Sequence, residues 1–208
     1  SIYEYLRQTA IVNPHASLTF IDPDGHKYIF ERATNELPPQ SKEIKPHPDG
    51  IELGTLMNMV NASSEKSLIK FLQNDFSRIS ERVAKEICSA AGITETTRLS
   101  TMDLEKCKQL QDGIGKVKIM APQSDCLSPI GENLIRKGLK HVLSDIKPEY
   151  YAPPITRDPK SHSGNPFLVE VGIVYGGGLP SDQQVQILRF ANRVPLLYQQ
   201  GACAITKA

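Results

Sequence analysis

Two glycine-bearing stretches, one Glu–Asn pair and two basic clusters are the places in this 208-residue chain where residue type and spacing approach a recognisable chemistry. Gly176-Gly177-Gly178 follows an apolar run, as phosphate-cradling loops do. It continues as Leu179-Pro180, where such a loop needs a Gly-Lys pair and a hydroxyl residue, so a tight β turn accounts for it. Gln111-Asp112-Gly113-Ile114-Gly115 has the outline of an Asp-x-Gly-x-Gly adenine site, but Gln111 stands where the carboxylate acceptor belongs. That stretch reads as a helix stop. Glu31 and Asn35 have the spacing that on a helix would put a general base and a magnesium ligand on one face. Here they straddle a strand end before Pro38 and read as surface residues of a hairpin exit.

The histidines, His15, His26, His47, His141 and His162, form no i, i+4 pair, and no two of Cys88, Cys107, Cys126 and Cys203 have C-x-x-C spacing. No metal site is expected on these grounds. Cys88 and Cys107 fall at apolar helical spacing and read as small core residues. The basic clusters are Lys106, Lys108, Lys116 and Lys118, and Arg78, Arg82 and Lys85. Both could meet phosphates, but Glu81, Glu86 and Asp112 interleave with them, which also describes a solvated helix face.

The elements that must position these residues can be placed by periodicity. Ile2, Tyr5, Leu6, Ala10 and Val12 mark a helix that Asn13-Pro14 ends; two strands then flank the turn Asp22-Pro23-Asp24-Gly25. Pro38-Pro39 opens an extended connector through Asp49. Residues 64 to 118 read as several short helices, with Ser64, Ser80 and Thr101 as N-caps and Gly92 and Gly113 as stops. After a loop from Ala121 to Gly131, an amphipathic helix carries Leu134, Ile135, Leu139 and Val142 on one side and Arg136, Lys137 and Lys140 on the other. Pro148 to Gly164 reads as a proline-rich loop, and Phe167–Val174, Val185–Phe190 and Val194–Leu197 as strands.

Lys plus Arg 24 against Asp plus Glu 23 gives a formal charge of +1, so nothing global recruits nucleic acid. No stretch approaches the roughly 20 apolar residues of a membrane span, and there is no signal pattern. A soluble, cytoplasmic protein is expected. Both ends fall inside helical patterns and read as interior to a longer chain.

Taken in order, SIYEYLRQTAIVNPHASLTFIDPDG, LPPQSKEIKPHPDGIELGTL, SDCLSPIGENLI, NPFLVEVGIVYGGG and LRFANRVPLLY are similar to the B subunits of DNA topoisomerase VI across nearly the whole chain. The resemblance implies an α+β multidomain chain. Residues 1–40 would end a GHKL α/β sandwich as a helix plus hairpin, and 41–62 would be a linker and connecting helix. A small all-α helix-two-turn-helix domain would fill 63–122, and an α/β transducer, truncated, 123–208. The same resemblance implies an ATP-hydrolysing isomerase, with ATP and Mg2+ used in the intact B subunit. Its partners would be a second B subunit and the A subunits of an A2B2 enzyme, and its substrate double-stranded DNA. The Glu-plus-Asn helix, adenine box and glycine-rich lid of that family would precede Ser1, so this piece alone should not hydrolyse ATP or hold cofactor. The cleavage tyrosine would belong to the A subunit. Lys207 matches the transducer lysine that reaches the γ-phosphate. The central helices lack the glycine-bearing hairpin of strong DNA-gripping motifs. Two rivals remain: a non-enzymatic nucleic-acid-binding module using the basic helical domain, and a structural rod.

Overall fold

The structure is a computed structural model, and it describes residues 1–183 and 185–197. In chain order the helices are α1 (Ile2–Val12), α2 (Leu53–Ala62), α3 (Leu68–Asp75), α4 (Glu81–Ala91), α5 (Leu104–Lys116) and α6 (Glu132–Val142). The strands are β1 (Leu18–Ile21), β2 (Lys27–Phe30), β3 (Tyr150–Tyr151), β4 (Ile155–Thr156), β5 (Lys160–His162), β6 (Asn165–Phe167), β7 (Glu170–Val171), β8 (Val174–Tyr175), β9 (Phe190–Ala191) and β10 (Val194–Pro195). The mixed helix-and-strand class expected from the sequence is present. The chain forms two compact units, one of residues 1–39, 128–156 and 170 onward, the other of 40–127 and 157–169.

The second unit is built on α2 to α5. Leu56, Leu68, Phe71, Leu72, Ile87, Cys88, Cys107 and Leu110 form one core, with Phe71 and Phe76 edge to face at 5.5 Å. The helix starts follow hydrogen-bond need: Ser67, Ser80 and Asp103 each accept from an unpaired first-turn amide, of Lys70, Val83 and Lys106 respectively. Ser80 is the expected cap, whereas Ser64 and Thr101 are not caps. Ser67 stands directly before α3 and pairs with Arg98, and Thr101 is taken up in a 3-10 turn at Leu99–Thr101. Gly92 ends α4 in the left-handed region at φ 69°, as expected.

Gly113 is a correction. It stops nothing; α5 runs on to Lys116, and a Cβ at Gly113 would lie 2.7 Å from the Ala91 Cβ. The glycine permits close approach of α4 and α5. In the connector, His47 is buried at 2% exposure, its Nε2 2.9 Å from the Met120 carbonyl oxygen and its Nδ1 accepting the Asp49 amide at 3.2 Å. Cys88 and Cys107 are core residues as expected, and burial raises both thiol pKa values, with Glu95 and Asp103 respectively adding to it.

In the first unit, α1 is capped by Ser1 and followed by the β1–β2 hairpin, registered Leu18 to Phe30 and Ile21 to Lys27. Asp22 organises the turn, accepting the amides of Asp24 and His26. Two further expectations fail. Residues 148–164 are not a plain loop: β3, β4 and β5 lie there and pair antiparallel with β8, β7 and β6. The ladders are two or three residues long and broken by Pro153-Pro154, too short for a period-2 pattern to show. Nor is 185–190 a strand. Among the described residues of this stretch, Phe190 and Ala191 alone pair, across the Asn192-Arg193 turn, with β10. Among the described residues, Val185 and Ile187 have no neighbouring strand.

Candidate functional site

The basic residues picked out for phosphate chemistry lie on and just before α4, on and just beyond α5, and outside the described residues. Lys106 is half-buried and its Nζ donates to the Thr101 carbonyl at 2.9 Å, while Lys108 and Lys116 lie on one row of α5 with Asp112 between them. Lys118 lies beyond the helix and is exposed. In α4, Arg82 and Lys85 are paired with Glu86 and Glu81 at 2.6 and 2.9 Å. Lys207 lies outside the described residues. Glu31 and Asn35 are exposed and follow β2, away from any helix, as expected. Gly176 and Gly177 adopt φ 76° and 62° against Glu149 and the backbone of Lys147, which is a turn and not a phosphate cradle.

What the first unit does assemble is a polar joint that sequence reading missed. Glu170 on β7 accepts the amides of Ile130 at 2.8 Å and Gly131 at 2.7 Å, and the Thr156 hydroxyl at 3.2 Å. Gly131 begins α6 with no side chain of its own to cap it. Glu170 therefore supplies from a distant strand the negative charge and acceptors that the positive end of α6 lacks. Across the same loop, Arg193 Nη2 donates to the carbonyls of Ser128 and Pro129 at 3.1 and 2.9 Å. The backbone carbonyl of Arg193 accepts from Asn13 Nδ2 at 3.0 Å, and Asn13 also donates to Thr9 in the last turn of α1.

The electrostatics of the joint follow from burial. His15 is held below the ordinary histidine value, first by desolvation and then by the Arg193 charge. Arg193 is itself lowered by desolvation, with the Glu170 carboxylate opposing the shift. His15 Nδ1 and Arg193 Nη1 are buried without hydrogen-bond partners among the described residues. An unpaired buried donor is uncommon in a folded protein and costs about 1–3 kcal/mol.

Apolar packing fixes the joint from behind. Gly138 of α6 meets the Ile11 carbonyl of α1, and a Cβ at Gly172 would lie 2.8 Å from Ile135 and Leu139. Two signals could have revealed this joint: the Asn192-Arg193 pair between apolar dipeptides, where residues tolerating positive φ make a hairpin turn, and Glu170 alone inside the apolar run FLVEVGIVY.

These hydrogen bonds join α1, the 128–131 loop, β7 and the β9–β10 hairpin within the first unit. Residues 122–208 match the family model described as "Topoisomerase VI B subunit, transducer". The whole chain is 56% identical over 208 residues to the B subunit of type 2 DNA topoisomerase 6 from Methanococcoides burtonii, covering 100% of this chain and 33% of that protein. It is 46% identical over 209 residues to the B subunit of the same enzyme from Archaeoglobus fulgidus, covering 100% of this chain and 34% of that protein. Against the B subunit from Saccharolobus islandicus it is 36% identical over 208 residues, covering 99% of this chain and 38% of that protein. The chain thus spans about a third of the length of the curated relatives it matches. Over its whole length it belongs to the topoisomerase VI B-subunit family, as a segment that includes transducer sequence from residue 122.

Proposed function

We propose that this chain is the part of an ATP-driven type II DNA topoisomerase that carries nucleotide state from an ATPase domain towards the DNA-cleaving subunit. The observation that carries the reading is the match to named B subunits over the entire chain, with the transducer model on residues 122–208. In this reading α1 and the β1–β2 hairpin are the end of a GHKL ATPase domain, α2 to α5 include a helix-two-turn-helix domain, and α6 onward is transducer. The intact B subunit binds ATP with Mg2+, pairs with a second copy of itself and with the A subunit, and acts on double-stranded DNA.

Lys207 would neutralise charge at the γ-phosphate. A cation held there stabilises the charge developing in hydrolysis, and its contact is lost when the phosphate leaves, which links nucleotide state to the transducer. Lys106, Lys108, Lys116 and Lys118 would meet DNA phosphates. The test is relaxation of supercoiled plasmid by the intact B subunit together with the A subunit. ATP-dependent relaxation by the pair is the expected result, and relaxation indifferent to ATP overturns the reading.

A further inference from the structure

We infer that Arg193 is a positioning residue for nucleotide hydrolysis, tying the β9–β10 hairpin to the end of α1 and to the 128–129 loop. The inference rests on the reading above, and it adds a residue to which neither motif nor family match assigned a role.

Three observations converge on it. First, Arg193 occupies the second central position of a two-residue turn at φ 66°, with Asn192 at φ 49°. A β-carbon is disfavoured there and glycine is the residue the backbone prefers. Arginine stands there despite that cost. Second, the guanidinium and the peptide carbonyl of the same residue grip two different segments: Nη2 donates to Ser128 and Pro129, and the carbonyl accepts from Asn13. Third, the guanidinium is desolvated enough to lower its pKa, with Nη1 buried and unpartnered among the described residues. Turn strain and desolvation both oppose arginine here, whereas glycine would close the same turn with neither.

The mechanical consequence follows from connectivity. Asn13 closes α1 by bonding back to Thr9, so whatever displaces α1 pulls on the Arg193 carbonyl. Beyond Pro195 the sequence runs on through residues 196–206 to Lys207. Fixing the hairpin tip fixes the point from which that stretch departs. A displacement of about 1 Å in a reacting group can lower a rate by about a hundredfold. Loss of the anchor should therefore act on turnover and leave nucleotide binding, made elsewhere, as it was.

The test is Arg193→Gly in the intact B subunit paired with the A subunit. Glycine suits the turn, so this variant removes the guanidinium without adding backbone strain. The expected result is a fall of about tenfold or more in kcat for ATP hydrolysis, with KM and nucleotide affinity unchanged. Asn13→Ala, which leaves the turn untouched, should lower kcat in the same direction, and the double variant should lose less than the product of the two single losses. Wild-type kcat in Arg193→Gly overturns the inference. If Arg193→Gly fails to fold, Asn13→Ala decides alone: lower kcat at unchanged KM supports the inference, and wild-type kcat overturns it. ATP-independent relaxation by the wild-type pair would instead overturn the underlying reading, so the two failures are distinguishable.

Discussion

Gly138 on α6 lies directly against the carbonyl of Ile11 on α1, so close that a β-carbon at that position would overlap the oxygen. Ile11 is buried, and the two helices meet along this crossing. Neither backbone can retreat without uncovering Ala10, Val12, Leu134 and Ile135, which are all buried. Gly138→Ala should therefore destabilise the first unit by about 1–3 kcal/mol even though alanine is the better helix former. Gly54 is the control: it lies inside α2 with nothing within 4 Å of its missing Cβ. Gly54→Ala should stabilise by about 0.5–1 kcal/mol. Chemical denaturation of the two variants checks both signs, and equal shifts would refute the close crossing.

The Glu170 cap makes a separate prediction. Its carboxylate bonds two amides at the start of α6 and one hydroxyl. Glu170→Gln keeps the shape but removes the charge that faces the helix start and puts a non-accepting NH2 against one of the two amides, which should lower stability by about 1–2 kcal/mol. Glu170→Ala also strands two amides and should cost more, about 2–3 kcal/mol. Amide hydrogen exchange at Ile130 and Gly131 reports the effect locally, and unchanged protection in Glu170→Ala would contradict the cap.

Legibility in the sequence depends on whether an element carries its own signal. For α1, the β1–β2 hairpin, the Ser80 cap and the Gly92 stop, local spacing was enough. Gly113 and Gly138 were opaque for one physical reason: a glycine that ends a helix and a glycine that admits a neighbouring backbone look alike until the neighbour is placed. Glu170, Arg193 and Asn13 are joined to partners far along the chain: the sequence marks the Asn192-Arg193 turn and the lone charge of Glu170, but only the tertiary structure shows which groups they meet. The short ladders of β3, β4 and β5 were hidden because strands of two or three residues hold too little of the alternating pattern.

His15 gives a pH prediction with a definite sign. Its folded-state pKa is depressed by burial and by Arg193, below the ordinary value of 6.5. Above that value the imidazole is neutral in both states and nothing is lost. As pH falls below it, the unfolded chain takes up a proton that the folded chain resists, so stability declines until the folded pKa is passed. His15→Gln should flatten the decline of Tm between neutral and mildly acid pH. An unaltered slope in that variant would mean that His15 is not the group responsible.

Coupling of hydrolysis to the rest of the B subunit is proposed to pass through Lys207 and its contact with nucleotide. The most direct measurement is single-turnover ATP hydrolysis by the intact B subunit carrying Lys207→Ala, with nucleotide binding followed in parallel. Binding should be retained while hydrolysis slows about a hundredfold or more, and ATP-dependent plasmid relaxation by the pair with the A subunit should be lost with it. Wild-type hydrolysis and relaxation in that variant would contradict the proposed coupling.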